Sequence, residues 1–133
     1  IVTNTREIAA DEYFQGMFTT ALEEGEIVTE VKFPIPEAAH YEKFLQPASR
    51  FPLVAAFVAK FSDGVRVAIT GASNDGVFRW AEAEAALTSN FSADAVAGLS
   101  IDGSDMINDL HGTGAYRAHL VGVMTKRAVA AIS

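Results

Sequence analysis

Hydrophobic and polar residues alternate over residues 27–33, with Ile27, Thr29, Val31 and Phe33 on one face and Val28, Glu30 and Lys32 on the other. A period of two predicts a half-buried strand. Pro34 and Pro36 end it, because proline donates nothing to a ladder. Residues 40–45 predict a second, weaker strand. Residues 51–61 are apolar on both faces, a pattern that also suits a helix. Val54, Phe57, Val58 and Phe61 favour a pleated surface, and Ser62-Asp63-Gly64 then turns tightly into an alternating run over 65–70. The stretch is therefore read as a central strand. Residues 71–76 read as a loop, and 77–79 as a short extended piece.

Helical patterns sit mostly later in the chain. A short candidate over 10–15 is stopped by Gly16, and Glu23-Glu24-Gly25-Glu26 reads as an acidic turn. Residues 80–89 are rich in alanine and glutamate and predict a helix. Ser92 is placed to cap a shorter one over 93–97, ended by Gly98. Residues 103–114 form a polar loop, after which Thr113 or Gly114 opens the longest helix, 115–132. Its apolar stripe is Tyr116, Leu120, Val123 and Met124, widened by Val121, Ala128 and Ile132. Strands first and helices later predict an α+β fold: a small, mostly antiparallel sheet with helices packed on one face and a long C-terminal helix.

Composition narrows the function classes. The 133 residues include no cysteine, which excludes disulfides, cysteine-ligated zinc and thiol catalysis. Seventeen acids against ten Lys and Arg give a net charge of −7, which argues against nonspecific binding to nucleic acid or an anionic membrane. No apolar run is long enough to span a bilayer and no basic-then-apolar leader opens the chain, so a cytoplasmic protein is expected. The chain opens on Ile1 without a methionine and reads as the middle of something longer.

Candidate chemistry is sparse. Residues 71–76 have the glycine spacing of a phosphate loop, but Val77 and Phe78 stand where a lysine and a serine or threonine must follow. Asp102, Asp105, Asp109 and His111 cluster without the spacing of a calcium loop. His40, His111 and His119 are scattered, with no metal-ligand spacing, and no G-x-S-x-G elbow exists. No catalytic or metal-binding residue is assigned. Val28 lies on an otherwise polar strand face. It is either an isolated exposed apolar residue or a sign that another domain, a partner or a flat cofactor covers that face. The residues alone reach a soluble α+β domain without a self-contained active site.

Four stretches together resemble one family. The first is Arg6-Glu7-Ile8 through Phe14-Gln15-Gly16-Met17-Phe18-Thr19-Thr20-Ala21-Leu22 to Gly25-Glu26-Ile27-Val28-Thr29-Glu30-Val31. The second is Tyr41-Glu42-Lys43-Phe44 with Pro47-Ala48-Ser49-Arg50-Phe51. The third is Val67-Ala68-Ile69-Thr70-Gly71-Ala72, then Phe78-Arg79. The fourth is Asp109-Leu110-His111 followed by Tyr116-Arg117-Ala118-His119-Leu120. In order and spacing they resemble the flavin-carrying medium subunit of molybdenum hydroxylases, the group of aerobic carbon monoxide dehydrogenase and xanthine dehydrogenase, with the carbon monoxide dehydrogenase-like branch nearest.

The resemblance implies an oxidoreductase complex. Its molybdenum cofactor sits in a large subunit, its two 2Fe-2S clusters in an iron–sulfur small subunit and its FAD in the medium subunit. Electrons pass from the clusters through FAD to an external acceptor. The family's two glycine-rich FAD loops are not found here. Residues 1–34 are therefore expected to be the tail of the FAD-binding domain, and 35–133 the carbon monoxide dehydrogenase flavoprotein C-terminal domain, which caps the flavin and contacts partner subunits. The resemblance places Val28 near the isoalloxazine ring, with Leu45 and Gln46 as further cofactor contacts. Some relatives carry a lysine just before the A-S-R sequence, where this chain has Leu45-Gln46-Pro47 and a lysine only earlier, at Lys43. The isolated chain is expected to be inactive and to bind FAD weakly. The competing expectation is a stand-alone interaction or dimerisation module.

Overall fold

The computed structural model describes residues 1–16 and 18–132. The chain divides into two compact units, Ile1–Ile35 and the chain from Pro36 on.

The first unit is two small ribbons. Strand β1 (Val2–Thr3) pairs antiparallel with β4 (Val28–Glu30), Thr3 opposite Val28. Helix α1 (Ala10–Tyr13) runs directly into β2 (Phe14–Gly16), which pairs with β3 (Thr19–Thr20). The helix expected over 10–15 thus ends at Tyr13. So short a helix cannot sustain itself, and Phe14 gains a strand partner in Thr20 instead.

The half-buried strand expected over 27–33 is corrected too. Only Val28–Glu30 form a strand, and Ile27, Val31 and Phe33 are all exposed. The two-residue β1 is the strand's whole pairing partner, and the buried residues described in this unit are Thr3 and Ile8. Polar contacts hold the unit. Arg6 Nε and Nη2 donate to the two oxygens of Glu26 at 2.8 and 2.9 Å, and Thr3 donates to the same carboxylate. Those contacts, Arg6 first and then Thr5 and the Glu23 amide, hold the Glu26 carboxyl far below the usual carboxylate range.

The second unit is the sheet and its helices. Strands β5 (Ala38–Lys43), β6 (Ala55–Phe61), β7 (Gly64–Ser73) and β8 (Gly76–Arg79) form one antiparallel sheet in sequence order. Helix α2 (Ala81–Ser89), a 3-10 turn (Ala93–Val96) and helix α3 (Gly114–Ala130) cover one face. Val58, Val67, Ile69, Trp80, Leu120 and Met124 meet in the core between them. The α+β architecture is the expected one, with β6 central and α3 longest.

Three local expectations change. The segment over 93–97 is a 3-10 turn rather than an α-helix, and Ser92 makes no side-chain capping bond. The loop expected over 71–76 is the end of a hairpin. Gly71 adopts φ +76° at a bulge, so β7 continues to Ser73 before turning at Asn74-Asp75. The third concerns the stripe of α3. Tyr116 is 42% exposed, with its ring edge-on to Phe44, while Arg117 is buried at 4%. Arg117, Leu120, Val121, Met124 and Ala128 form the inward row at helical spacing. Of the two residues expected to open the helix, Thr113 is the cap, its hydroxyl accepting from the Tyr116 amide.

Thr125 is fully buried on α3 and its hydroxyl has no hydrogen-bond partner. An unsatisfied buried hydroxyl carries a desolvation penalty that a methyl group does not. Thr125→Val is therefore expected to raise the unfolding free energy by about 1 kcal/mol. A shift of the urea midpoint upward at constant slope would show it; a downward shift would refute it.

Candidate functional site

Helices cover one face of the sheet, and strand alternation decides which residues fall on the other. Tyr41 lies opposite Phe57, Phe57 opposite Ala68 and Ala68 opposite Arg79, which makes one row across all four strands. The flanking rows are Lys43, Ala55 and Thr70 on one side, and Ala39, Ala59 and Arg66 on the other. Among the described residues no helix of the second unit packs there. Phe57 of the central strand β6 is 42% exposed and Tyr41 of the edge strand β5 47%, adjacent in the register. Between the larger side chains the alanines Ala55 and Ala59 are buried.

The charge on this face runs against that of the chain. Its strand positions carry Lys43, Arg66 and Arg79 and no Asp or Glu, in a protein of net charge −7. Arg66 is engaged by Asp63 at 3.3 Å and lies over the Phe61 ring at 5.9 Å. Arg79 reaches round to α2, donating to Glu84. The Val67 amide donates to the same carboxylate at 2.9 Å. Burial pushes Glu84 up, but Arg79, the Val67 amide and Arg66 outweigh it and hold its pKa below the usual carboxylate range. Lys43 makes no ion pair among the described residues. The face is thus a shallow aromatic and alanine surface with one uncompensated cation. It suits a flat apolar ring bearing electronegative edges, and it carries no nucleophile paired with a base.

The residues expected at a cofactor are carried by both units. Val28 lies in β4 of the first unit, 37% exposed, opposite Thr3. Leu45 and Gln46 follow β5 in the second unit. Leu45 is 74% exposed, and Gln46 donates from Nε2 to the Phe51 carbonyl at 2.8 Å, closing the loop over 46–51. In that loop Ala48 and Ser49 both take positive φ, 58° and 55°, a strained pair for residues bearing a Cβ. Gln46 lines a cleft beside Arg117.

Sequence reasoning missed Tyr41 and Phe57 as site residues. The available signal was a strand apolar on both faces beside a neighbour whose outward positions are Tyr41 and Lys43. The acidic cluster of the 102–111 loop has structural employment. Asp102 accepts from the Ser104 amide and hydroxyl, and Asp109 pairs with Arg117 at 2.9 Å.

A curated relative, the carbon monoxide dehydrogenase medium chain of Afipia carboxidovorans, is 29% identical over 93% of this chain. The alignment covers 47% of that relative, so this chain spans about half its length. The similarity agrees with the resemblance of the four stretches to flavoprotein medium subunits. No protein-family model and no solved structure matches the chain.

Proposed function

We propose that this chain forms the C-terminal part of the flavoprotein subunit of a molybdenum hydroxylase of the carbon monoxide dehydrogenase type, and that its open sheet face caps the flavin. The observation that carries the reading is the exposed Tyr41–Phe57 pair on a face without carboxylates. An aromatic side chain against the isoalloxazine ring excludes water and tunes its electronics, while a nearby lysine favours electron-rich ring edges. Lys43 is two residues from Tyr41 on the same face, and so takes the part for which the resemblance gave no residue directly before the A-S-R sequence. Leu45 and Gln46 follow directly and border the ring. The exposed apolar side chains Ile27, Val31 and Phe33 fit a first unit that completes an FAD-binding domain. Such a subunit would hold FAD, which when bound would supply electron transfer between an iron–sulfur small subunit, fed by a molybdenum large subunit, and an external acceptor. The holoenzyme works in the cytoplasm, and this chain alone is inactive.

The reading is tested by titrating the purified chain with riboflavin, which lacks the phosphates that the family's glycine-rich loops hold. The chain should purify colourless, and riboflavin should bind weakly, with NMR shifts at Tyr41, Lys43 and Phe57. Tyr41→Ala should weaken binding about fivefold, since one aromatic contact contributes about 1 kcal/mol. Shifts confined to other surfaces, or a chain that purifies with stoichiometric flavin, would overturn it.

A further inference from the structure

Strand β5 is an edge of the four-stranded sheet, and among the described residues no strand pairs with its outer side. Just past it the Phe44 amide donates to the Val54 carbonyl at 2.9 Å. Bonded and non-bonded positions alternate in an antiparallel ladder. Ala38, His40 and Glu42 therefore bond to β6, and the amides and carbonyls of Ala39, Tyr41 and Lys43 point away from the sheet. Proteins blunt such edges with proline, with a bulge or by keeping the strand short. The opposite edge, β8, has an irregular register against β7. In β5 six residues hold one unbroken register and include no proline.

The sequence of the edge specifies what it can pair with. In an antiparallel pairing of two copies centred on Tyr41, that residue lies opposite the partner's Tyr41. Ala39 then lies opposite the partner's Lys43, and Lys43 opposite the partner's Ala39, so every outward amide and carbonyl meets its complement. On the other face of the strand, which α3 packs against, His40 falls opposite the partner's Glu42, and Glu42 opposite the partner's His40. Within one strand the His40 ring nitrogen and the Glu42 carboxylate are already 3.2 Å apart. Two copies thus complete a square in which imidazole and carboxylate alternate. On the open face the Phe57–Tyr41 row runs on into the partner's Tyr41. Sliding the pair by two residues sets His40 opposite the partner's His40, or in the other direction Glu42 opposite the partner's Glu42. Either slide loses the cross-strand His–Glu pairs, and the second opposes like charges.

We propose that β5 pairs antiparallel with β5 of a second copy of this chain, joining their sheets into one. The pairing uses the backbone edge of the strand, not the face assigned to the flavin, and its test contains no flavin.

Sedimentation equilibrium of the chain should show a reversible monomer–dimer equilibrium. Amide exchange at Ala39, Tyr41 and Lys43 should slow as concentration rises. His40→Glu sets carboxylates opposite each other in two symmetry-related pairs and should raise the dimer Kd about tenfold. Adding Glu42→His to that variant restores the alternation with the residues exchanged, and the Kd should return to that of the natural chain. A chain that stays monomeric at every concentration would overturn the proposal, as would a dimer whose concentration-dependent protection lies outside β5. So would a dimer indifferent to His40→Glu, or a double exchange as weak as the single one.

Discussion

Replacing Arg117 with leucine is expected to lower the stability of the second unit by about 3 kcal/mol, because it removes the donor from the Leu53 and Gly71 carbonyls and the partner from Asp109. The Leu53 carbonyl belongs to a residue 3% exposed, and the Gly71 carbonyl sits at the bulge of β7. Each loses its donor at once, while the leucine restores only the apolar stem. Arg117→Lys should recover part of the loss, since an ammonium reaches one or two of these oxygens but cannot span the fork. Urea unfolding of the three proteins measures the order; leucine unfolding at the same midpoint as the natural residue would refute it.

The carboxylate partner of Arg117 predicts a pH effect. The His111 amide first, and with it the Arg117 guanidinium and the Gly112 amide, hold the Asp109 carboxyl below its ordinary value and together outweigh burial, which pushes it up. A folded-state pKa below the unfolded one contributes stability that is fully present above about pH 4 and is lost as pH falls through the folded value. The gap between the natural protein and Asp109→Asn should therefore narrow on acidification below about pH 4. A gap that stays constant down to pH 2 would show that the Asp109 pair does not set it.

Gly71→Ala is the second large effect. Gly71 has φ +76°, and a Cβ built there meets the Leu53 and Pro52 carbonyl oxygens at 2.9 Å. Both obstacles are backbone, so relief requires moving the chain rather than rotating a side chain. The positive φ contributes about 1 kcal/mol and the overlap about 1–3 kcal/mol more. Gly76 offers an internal control: its φ is +98°, yet nothing lies within 4 Å of its would-be Cβ. Gly76→Ala should pay the conformational term alone, about 1 kcal/mol. Equal destabilisation by the two substitutions, read from urea midpoints at matched slopes, would show that crowding at the bulge plays no part.

Arg117 and Gly71 also mark how far the sequence could be read. The helix over 115–132 was legible from its period, and its start from Thr113, because these are properties of neighbouring residues. Its inward face is legible at Leu120, Val121, Met124 and Ala128 and fails only in the first turn. Tyr116 was counted in the stripe and Arg117 was not, since a charged residue is assigned to solvent unless its partners are known. Those partners lie far along the chain, at Leu53, Gly71 and Asp109. Gly71 read as one glycine of a loop because its role depends on Pro52 and Leu53 pressing against it. The strand over 27–33 erred in the opposite direction. Its alternation is real, but a pattern records which side is suited to burial and not whether anything covers it.

By itself the sequence determined the α+β class, the antiparallel hairpin through residues 62–64, the central place of β6, the long final helix and the similarity to flavoprotein medium subunits. Each of these rests on local periodicity, turn chemistry or motif order, which the chain carries in adjacent residues. The tertiary structure alone decided that Tyr41, Lys43 and Phe57 share an uncovered face, that Arg117 is buried with a free donor, and that the segment after Gly71 is a strand. These facts depend on cross-strand register and on contacts between distant segments, and the close approach that creates them exists only once the chain has folded.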